Sequence, residues 1–176
     1  MRFPRTLATL AAICLLPATL SADVIRQEDN GFTVQNSITV SKDLMFIHRT
    51  LTAHINQWWP QSHTWSNDAG NLKTEMEEGG GMYETLPNGG FVEHLRLVFY
   101  SPGGEYRWEG ALGPLQSMPV TGRFIWSLAA VEESYSITFT YHVWGDDSPD
   151  YAALAPAVDG MMKETISSLE TRLNRQ

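Results

Sequence analysis

Residues 105–144, EYRWEGALGPLQSMPVTGRFIWSLAAVEESYSITFTYHVW, decide the fold. Tyr106, Trp108 and Leu112 share one parity. So do Phe124, Trp126 and Leu128, and again Ile137, Phe139, Tyr141 and Val143. The opposite parity carries Arg107, Glu109, Arg123 and Ser127. Side chains alternate across a strand, so each segment offers bulky apolar groups to one side and polar groups to the other. Three such strands in succession, two of them joined across Glu132-Glu133-Ser134, predict an antiparallel sheet with one covered and one wet face. Trp144 has the wrong parity for the covered face and is expected at its rim.

The cover is the end of the chain. Leu154, Val158, Met161, Met162, Thr165, Ile166, Leu169 and Leu173 make an apolar stripe at helical spacing, with Lys163, Glu164, Glu170 and Arg172 largely off it. Pro156 fits a first helical turn, which predicts a start near Ala155.

Upstream of residue 105, Phe32, Val34, Ile38 and Val40 read as a half-buried strand interrupted by Asn36. Ser41 is the expected N-cap of a helix carrying Leu44, Ile47, Leu51, Ile55 and Trp58, which Pro60 stops. Residues 61–71 read as a loop or a short second helix. Short strands follow at 72–76 and 82–85 around Gly79-Gly80-Gly81, then a long one at 91–100, turned by Ser101-Pro102-Gly103-Gly104 into the strand at 105–112. Strand, helix, six strands and a long helix predict an α+β fold: a curved antiparallel sheet of about seven strands around a C-terminal helix.

This order is that of the helix-grip fold. Trp58-Trp59-Pro60, His63-Thr64-Trp65-Ser66 and Gly80-Gly81-Met82-Tyr83-Glu84 resemble the "W-P … GG-x-F-x-E" region of polyketide-cyclase-like and heat-shock-ATPase-activator-homology members of the START, or SRPBCC, superfamily. Gly110-Ala111-Leu112-Gly113-Pro114-Leu115-Gln116 resembles a segment of an exported subgroup of that superfamily. The resemblance implies a hydrophobic pocket between sheet and long helix. Relatives bind lipids, sterols or polyketides there, and some cyclise or hydrolyse what they bind.

The first 22 residues have the layout of a secretory signal peptide: Arg2 and Arg5, the uncharged run 7–16, Pro17, and small residues before Asp23. The run is too short for a bilayer-spanning helix, so no membrane span is expected in the mature chain. A single domain over 23–176, periplasmic or secreted, is the expectation. The whole chain has a net charge of −8; without residues 1–22 it loses two arginines and falls to −10. So acidic a chain is poorly suited to nucleic acid. Cys14, the one cysteine, lies in the leader, so neither a disulfide nor a thiol nucleophile is expected in the mature protein.

The candidate ligand contacts fall in three groups. Tyr106, Trp108, Phe124, Trp126, Phe139 and Tyr141 are expected to wall a cavity, with Met161 and Met162 above them on the helix; for Trp108 and Trp126 plain core is the alternative. Trp58, Trp59, His63 and Trp65 are expected at the pocket mouth, where His63 is either a solvated loop histidine or a polar contact and base. Glu93 and Glu84 are the candidate carboxylates. Glu93 shares parity with Phe91, Leu95, Leu97 and Phe99, which would aim it into apolar space and shift its pKa. The opposite register, with His94, Arg96, Val98 and Tyr100 inward, stays open, as does a bulge. Glu84 is either a site residue or a surface one.

No metal-ligand spacing, phosphate loop, dinucleotide motif or GxSxG elbow is present, so no cofactor or metal is expected. The leading expectation is an exported binding protein holding a small hydrophobic ligand. The alternative is a cofactor-free cyclase, dehydratase or hydrolase with Glu93 or His63 as its acid-base group. A protein-protein module, by likeness to chaperone activators, is the third.

Overall fold

The computed structural model describes residues 21–175. Residues 1–20 of the expected leader lie outside the described residues, so the export signal and the cleavage point are not addressed by it.

Eight strands form one antiparallel sheet: β1 (Ser21–Glu28), β2 (Gly31–Val40), β3 (Leu72–Thr74), β4 (Gly81–Thr85), β5 (Phe91–Tyr100), β6 (Glu105–Glu109), β7 (Val120–Val131) and β8 (Ser134–Gly145). Their order across the sheet is β1-β2-β8-β7-β6-β5-β4-β3. Helix α1 (Leu44–Thr52) follows β2, and α2 (Tyr151–Asn174) ends the chain. This is the α+β helix-grip arrangement, with one more strand than the period-two pattern predicts. The extra strand, β1, has no clean alternation in SADVIRQE and pairs with β2 through a bulge between Val24 and Arg26.

The inner face is built as the parity reading requires. Tyr106 stands opposite Trp126, which stands opposite Phe139; Trp108 stands opposite Phe124, which stands opposite Tyr141. All six are essentially sealed from solvent. Trp108 and Trp126 lie 5.0 Å apart between ring centroids, Phe124 and Phe139 5.3 Å, and Trp126 and Phe139 5.4 Å. Asn36 does not interrupt β2: it faces inward and donates from Nδ2 to Asp159 Oδ1 of α2 at 3.1 Å.

Helix ends differ from the sequence reading for local reasons. The N-cap of α1 is Asp43, whose carboxylate accepts from Phe46 N, while Ser41 bonds Ser134 instead. The helix ends at Thr52, and a separate 3₁₀ turn at Ile55–Gln57 carries Ile55 inward. Helix α2 begins four residues before Ala155, because Asp150 caps it by accepting from Ala153 N at 3.1 Å. Pro156 therefore sits inside the second turn. Residues 61–71 contain two 3₁₀ turns, Gln61–His63 and Ala69–Asn71.

Candidate functional site

The aromatic rows do not wall a cavity. They pack on one another and on Trp58, whose ring lies 5.9 Å from Trp126 and whose Nε1 donates to Thr50 O at 2.8 Å. Tyr106, Trp108, Phe124, Trp126, Phe139, Tyr141, Trp58 and Met162 are core. Their size is the reason: rings this large, meeting edge to face across neighbouring strands, fill the space between sheet and helix.

A largely apolar cleft opens at one end of that core, with a volume of about 410 Å³. Three segments and one strand residue build it. The loop after α1 supplies Trp59, His63 and Trp65; the turn at 112–115 supplies Leu112 and Leu115; α2 supplies Leu154, Val158 and Met161; β5 supplies His94. Of the sequence-predicted contacts, the structure brings Trp59, His63, Trp65 and Met161 together here.

The turn that forms one wall is the GALGPLQ segment. Its shape is held from both sides. Tyr141 Oη accepts from Leu112 N at 2.9 Å and donates to Gly110 O at 3.1 Å. Gln116 Nε2 donates to Glu93 O on β5 at 3.0 Å. Glycine is needed at 110, where φ is +143° and a Cβ would stand 2.9 Å from His94 O.

Glu93 does not enter the cleft. Its side chain is 36% exposed and pairs with Arg96 at 2.9 Å. The reason is a bulge. Met82 pairs with Leu95 and Tyr83 with Glu93, so His94 is the extra residue on β5. An extra residue resets the alternation, and His94 and Leu95 both become buried in succession. The bulge turns the histidine, not the glutamate, toward the interior.

Of the two candidate carboxylates Glu84 is the buried one, at 0% exposure, with His94 at 5%. Glu84 Oε2 accepts from His94 Nε2 at 2.8 Å and from Trp65 N at 3.0 Å, and Oε1 accepts from Ser66 N at 2.5 Å. Burial alone would raise the Glu84 pKa, but the hydrogen bonds from Ser66, Trp65 and His94 outweigh it and hold the carboxyl below its ordinary value. Burial lowers the His94 pKa, against the opposing pull of Glu84. At neutral pH the pair is therefore a carboxylate and a neutral imidazole. A carboxylate only accepts, so the proton of His94 is on Nε2 and Nδ1 carries the lone pair.

A second pair joins the cleft-lining 61–63 turn to α2. His63 Nε2 lies 2.8 Å from Glu164 Oε2 of α2, and Ser62 Oγ donates to Glu164 Oε1 at 3.1 Å. Trp65, at 52% exposure, flanks it. This pair is solvent-exposed and ties loop to helix weakly. Among the described residues, no group of three or more His, Cys, Asp or Glu is placed to hold a metal ion, and no helix is long and apolar enough to cross a membrane.

No family model matches the chain, and no curated protein matches it in sequence. Solved structures do match. An uncharacterised protein from Rhizobium leguminosarum superposes with a TM-score of 0.61 at 15% identity, over 90% of this chain and 99% of its own. DynU16, from the dynemicin biosynthetic locus, gives 0.57 at 14% identity, over 81% of this chain but 47% of its own. CalU16 from Micromonospora echinospora gives 0.50 at 10% identity, over 89% and 88%. The chain shares their fold. Identities this low carry no more than that.

Sequence reasoning placed His94 inward only as the alternative register and did not name it as a site residue; the wall at 112–115 was missed. A signal for His94 was present: Glu93 interrupts the otherwise apolar parity of FVEHLRLVFY, which a bulge beside it resolves by turning His94 inward.

Proposed function

We propose that the protein binds a small, largely apolar molecule in the cleft between the 59–65 loop, the 112–115 turn and α2, with His94 as the polar contact that orients it. The observation that carries this reading is the pairing of a cleft of about 410 Å³, walled by Leu112, Leu115, Leu154, Val158, Met161 and two tryptophans, with one imidazole held by a buried carboxylate. Sites for small ligands have this makeup: apolar walls and very few convergent polar groups. The leader-like residues 1–22 support placing this activity outside the cytoplasm.

The reading is tested with 2-naphthol, a flat apolar alcohol that can hydrogen-bond an imidazole. Saturable binding is expected to change the tryptophan fluorescence, since Trp59 and Trp65 line the cleft. Val158→Arg, which projects a charge into the cleft from α2, is expected to weaken it at least about tenfold. The reading fails if 2-naphthol, long-chain fatty acids and quinones all bind without saturation, or if Val158→Arg leaves a saturable isotherm unchanged.

A further inference from the structure

The Glu84–His94 pair has a feature that holding a loop does not require. Its imidazole is a wall of the cleft. Nε2 is committed to Glu84 Oε2 at 2.8 Å. Nδ1 makes no hydrogen bond to any described residue, yet it is not among the side-chain atoms sealed from solvent without a partner. His94 lines the cleft, and Nδ1 is the ring nitrogen that Glu84 leaves available to a ligand there.

The carboxylate behind the ring fixes its tautomer and stabilises the imidazolium that forms if Nδ1 takes a proton. That is the role of the acid in any carboxylate–histidine pair acting as a base. Glu84 is itself held rigidly by the backbone N–H groups of Trp65 and Ser66. The hydroxyls in the cleft are directed elsewhere: Ser62 donates to Glu164, and Thr64 donates to Gln61 O at 2.8 Å. No serine or threonine stands between His94 and a ligand as a nucleophile to be activated. The base faces the ligand itself.

Resting on the binding reading above, we propose that His94 is a general base that abstracts a proton from an apolar carbon acid bound in the cleft, with Glu84 as its positioning residue. The C–H bond of the ligand breaks, its proton goes to His94 Nδ1, and its electron pair stays on the ligand. There it either delocalises into an adjacent electron-withdrawing group or expels a leaving group. In the first case the imidazolium returns the proton at another atom, giving an isomerisation. In the second it loses the proton to water, giving an elimination. Neither course needs an oxidant, a reductant or a second substrate.

The probe is 5-nitrobenzisoxazole, a flat apolar molecule with one acidic C–H. Removing that proton forms the C≡N triple bond and breaks the N–O bond, releasing a coloured nitrophenolate. The wild-type protein is expected to give saturable turnover at least about 100-fold faster than the same concentration of free imidazole. His94→Gln is expected to reduce turnover to the level of free imidazole. Glu84→Gln should lower kcat and displace the inflection of the pH profile, because an amide no longer fixes the tautomer or balances the imidazolium.

The titratable groups around His94 are Glu84 from β4, bonded to it, and His63, which shares the cleft lining and is paired with Glu164 of α2. The wild-type rate should therefore rise with pH through a single histidine-like step that His94→Gln removes. If His63→Gln removes that step instead, the assignment to His94 is wrong. Nitrogen-15 NMR of the wild-type imidazoles needs no variant: His94 should carry its proton on Nε2 with a bare Nδ1 at pH 8, and the reverse tautomer overturns the proposal. If 2-naphthol binds but the probe turns over no faster than with free imidazole, the base is absent and the binding reading stands. If the probe is not turned over and neither 2-naphthol, long-chain fatty acids nor quinones bind saturably, both fall.

Discussion

Replacing Glu84 by glutamine keeps the side chain's size and removes its charge and one acceptor. The carboxylate receives three hydrogen bonds, two from the backbone at 65–66 and one from His94. If the amide oxygen takes the place of Oε2, the new NH2 group confronts Ser66 N–H, and a buried donor is left without an acceptor, at about 1–3 kcal/mol. The two remaining bonds fall from charge-assisted to neutral strength, roughly 0.5–1 kcal/mol each. If the oxygen instead takes the place of Oε1, Trp65 N–H is the orphan, and His94 relieves part of the loss by switching tautomer. Both arrangements lead to about 3 kcal/mol. Breaking a buried ion pair costs more, about 3–5 kcal/mol, but the partner here is a neutral imidazole and leaves no stranded charge. Urea unfolding should show the loss as a lower midpoint at constant slope, with a Tm decrease of about 6–12 °C. Glu78→Gln, at an exposed position, serves as the control. A loss below about 1 kcal/mol, indistinguishable from Glu78→Gln, would refute the claim that Glu84 is a sealed, triply bonded carboxylate.

Acidification should destabilise the protein in two stages. The folded pKa of His94 lies below its ordinary value of 6.5, so as pH falls past that point the unfolded chain takes up the proton first, and stability drops until the folded value is reached. His48 and His142, also lowered by burial, add to this stage. The folded pKa of Glu84 lies below its ordinary 4.5; its contribution is complete above that value and is lost as pH falls through the folded one. Urea midpoints that stay flat between pH 7 and pH 5 contradict the first stage. Gly160→Ala should stabilise the protein by about 0.5–1 kcal/mol in the same assay, since Gly160 is exposed within α2 and a Cβ there meets nothing within 4 Å. Tyr141→Phe leaves the buried Leu112 N–H without its acceptor; a loss of about 1–3 kcal/mol and weaker 2-naphthol binding are expected, and unchanged binding would detach the turn from the site.

The fold was legible because its signals are redundant. Three strands with aromatics at alternate positions and a five-turn apolar stripe agree on which faces meet, and no single misread residue can move them. The site was legible at the loop residues Trp59, His63 and Trp65, at Met161 of the helical stripe and at Glu84 of the Gly-Gly motif. Glu93 misled because parity arguments assume an unbroken ladder. One inserted residue in the pairing of β4 with β5 exchanges the roles of Glu93 and His94, and β5 is bulged again between Leu97 and Phe99. Phe91 and Phe99, apolar residues of Glu93's own parity, are exposed for the same reason. The partner of His94 lies ten residues away on another strand, and that of His63 lies on α2, so neither pairing leaves a spacing in the sequence.

The aromatic core and the cleft have different functions joined by Tyr141. Its ring packs 5.5 Å from Phe124 in the sealed interior, while its hydroxyl holds both ends of the 110–112 corner that starts the cleft wall. Burial raises the Tyr141 pKa far above the ordinary tyrosine value, so the hydroxyl keeps its proton and remains a donor to Gly110 O. Gly122 permits this placement, since a Cβ there would stand 2.6 Å from Cε2 of the ring. The residues read from sequence as ligand walls therefore act one layer back. Tight packing of Trp126, Phe124 and Phe139 fixes Tyr141; Tyr141 fixes the turn; and the turn, with Gln116 bonded to β5 beside His94, sets the distance between the apolar wall and the imidazole. A cleft built this way derives its rigidity from the core without opening the core itself, which is why filling the interior with tryptophan is compatible with keeping a cleft at its edge.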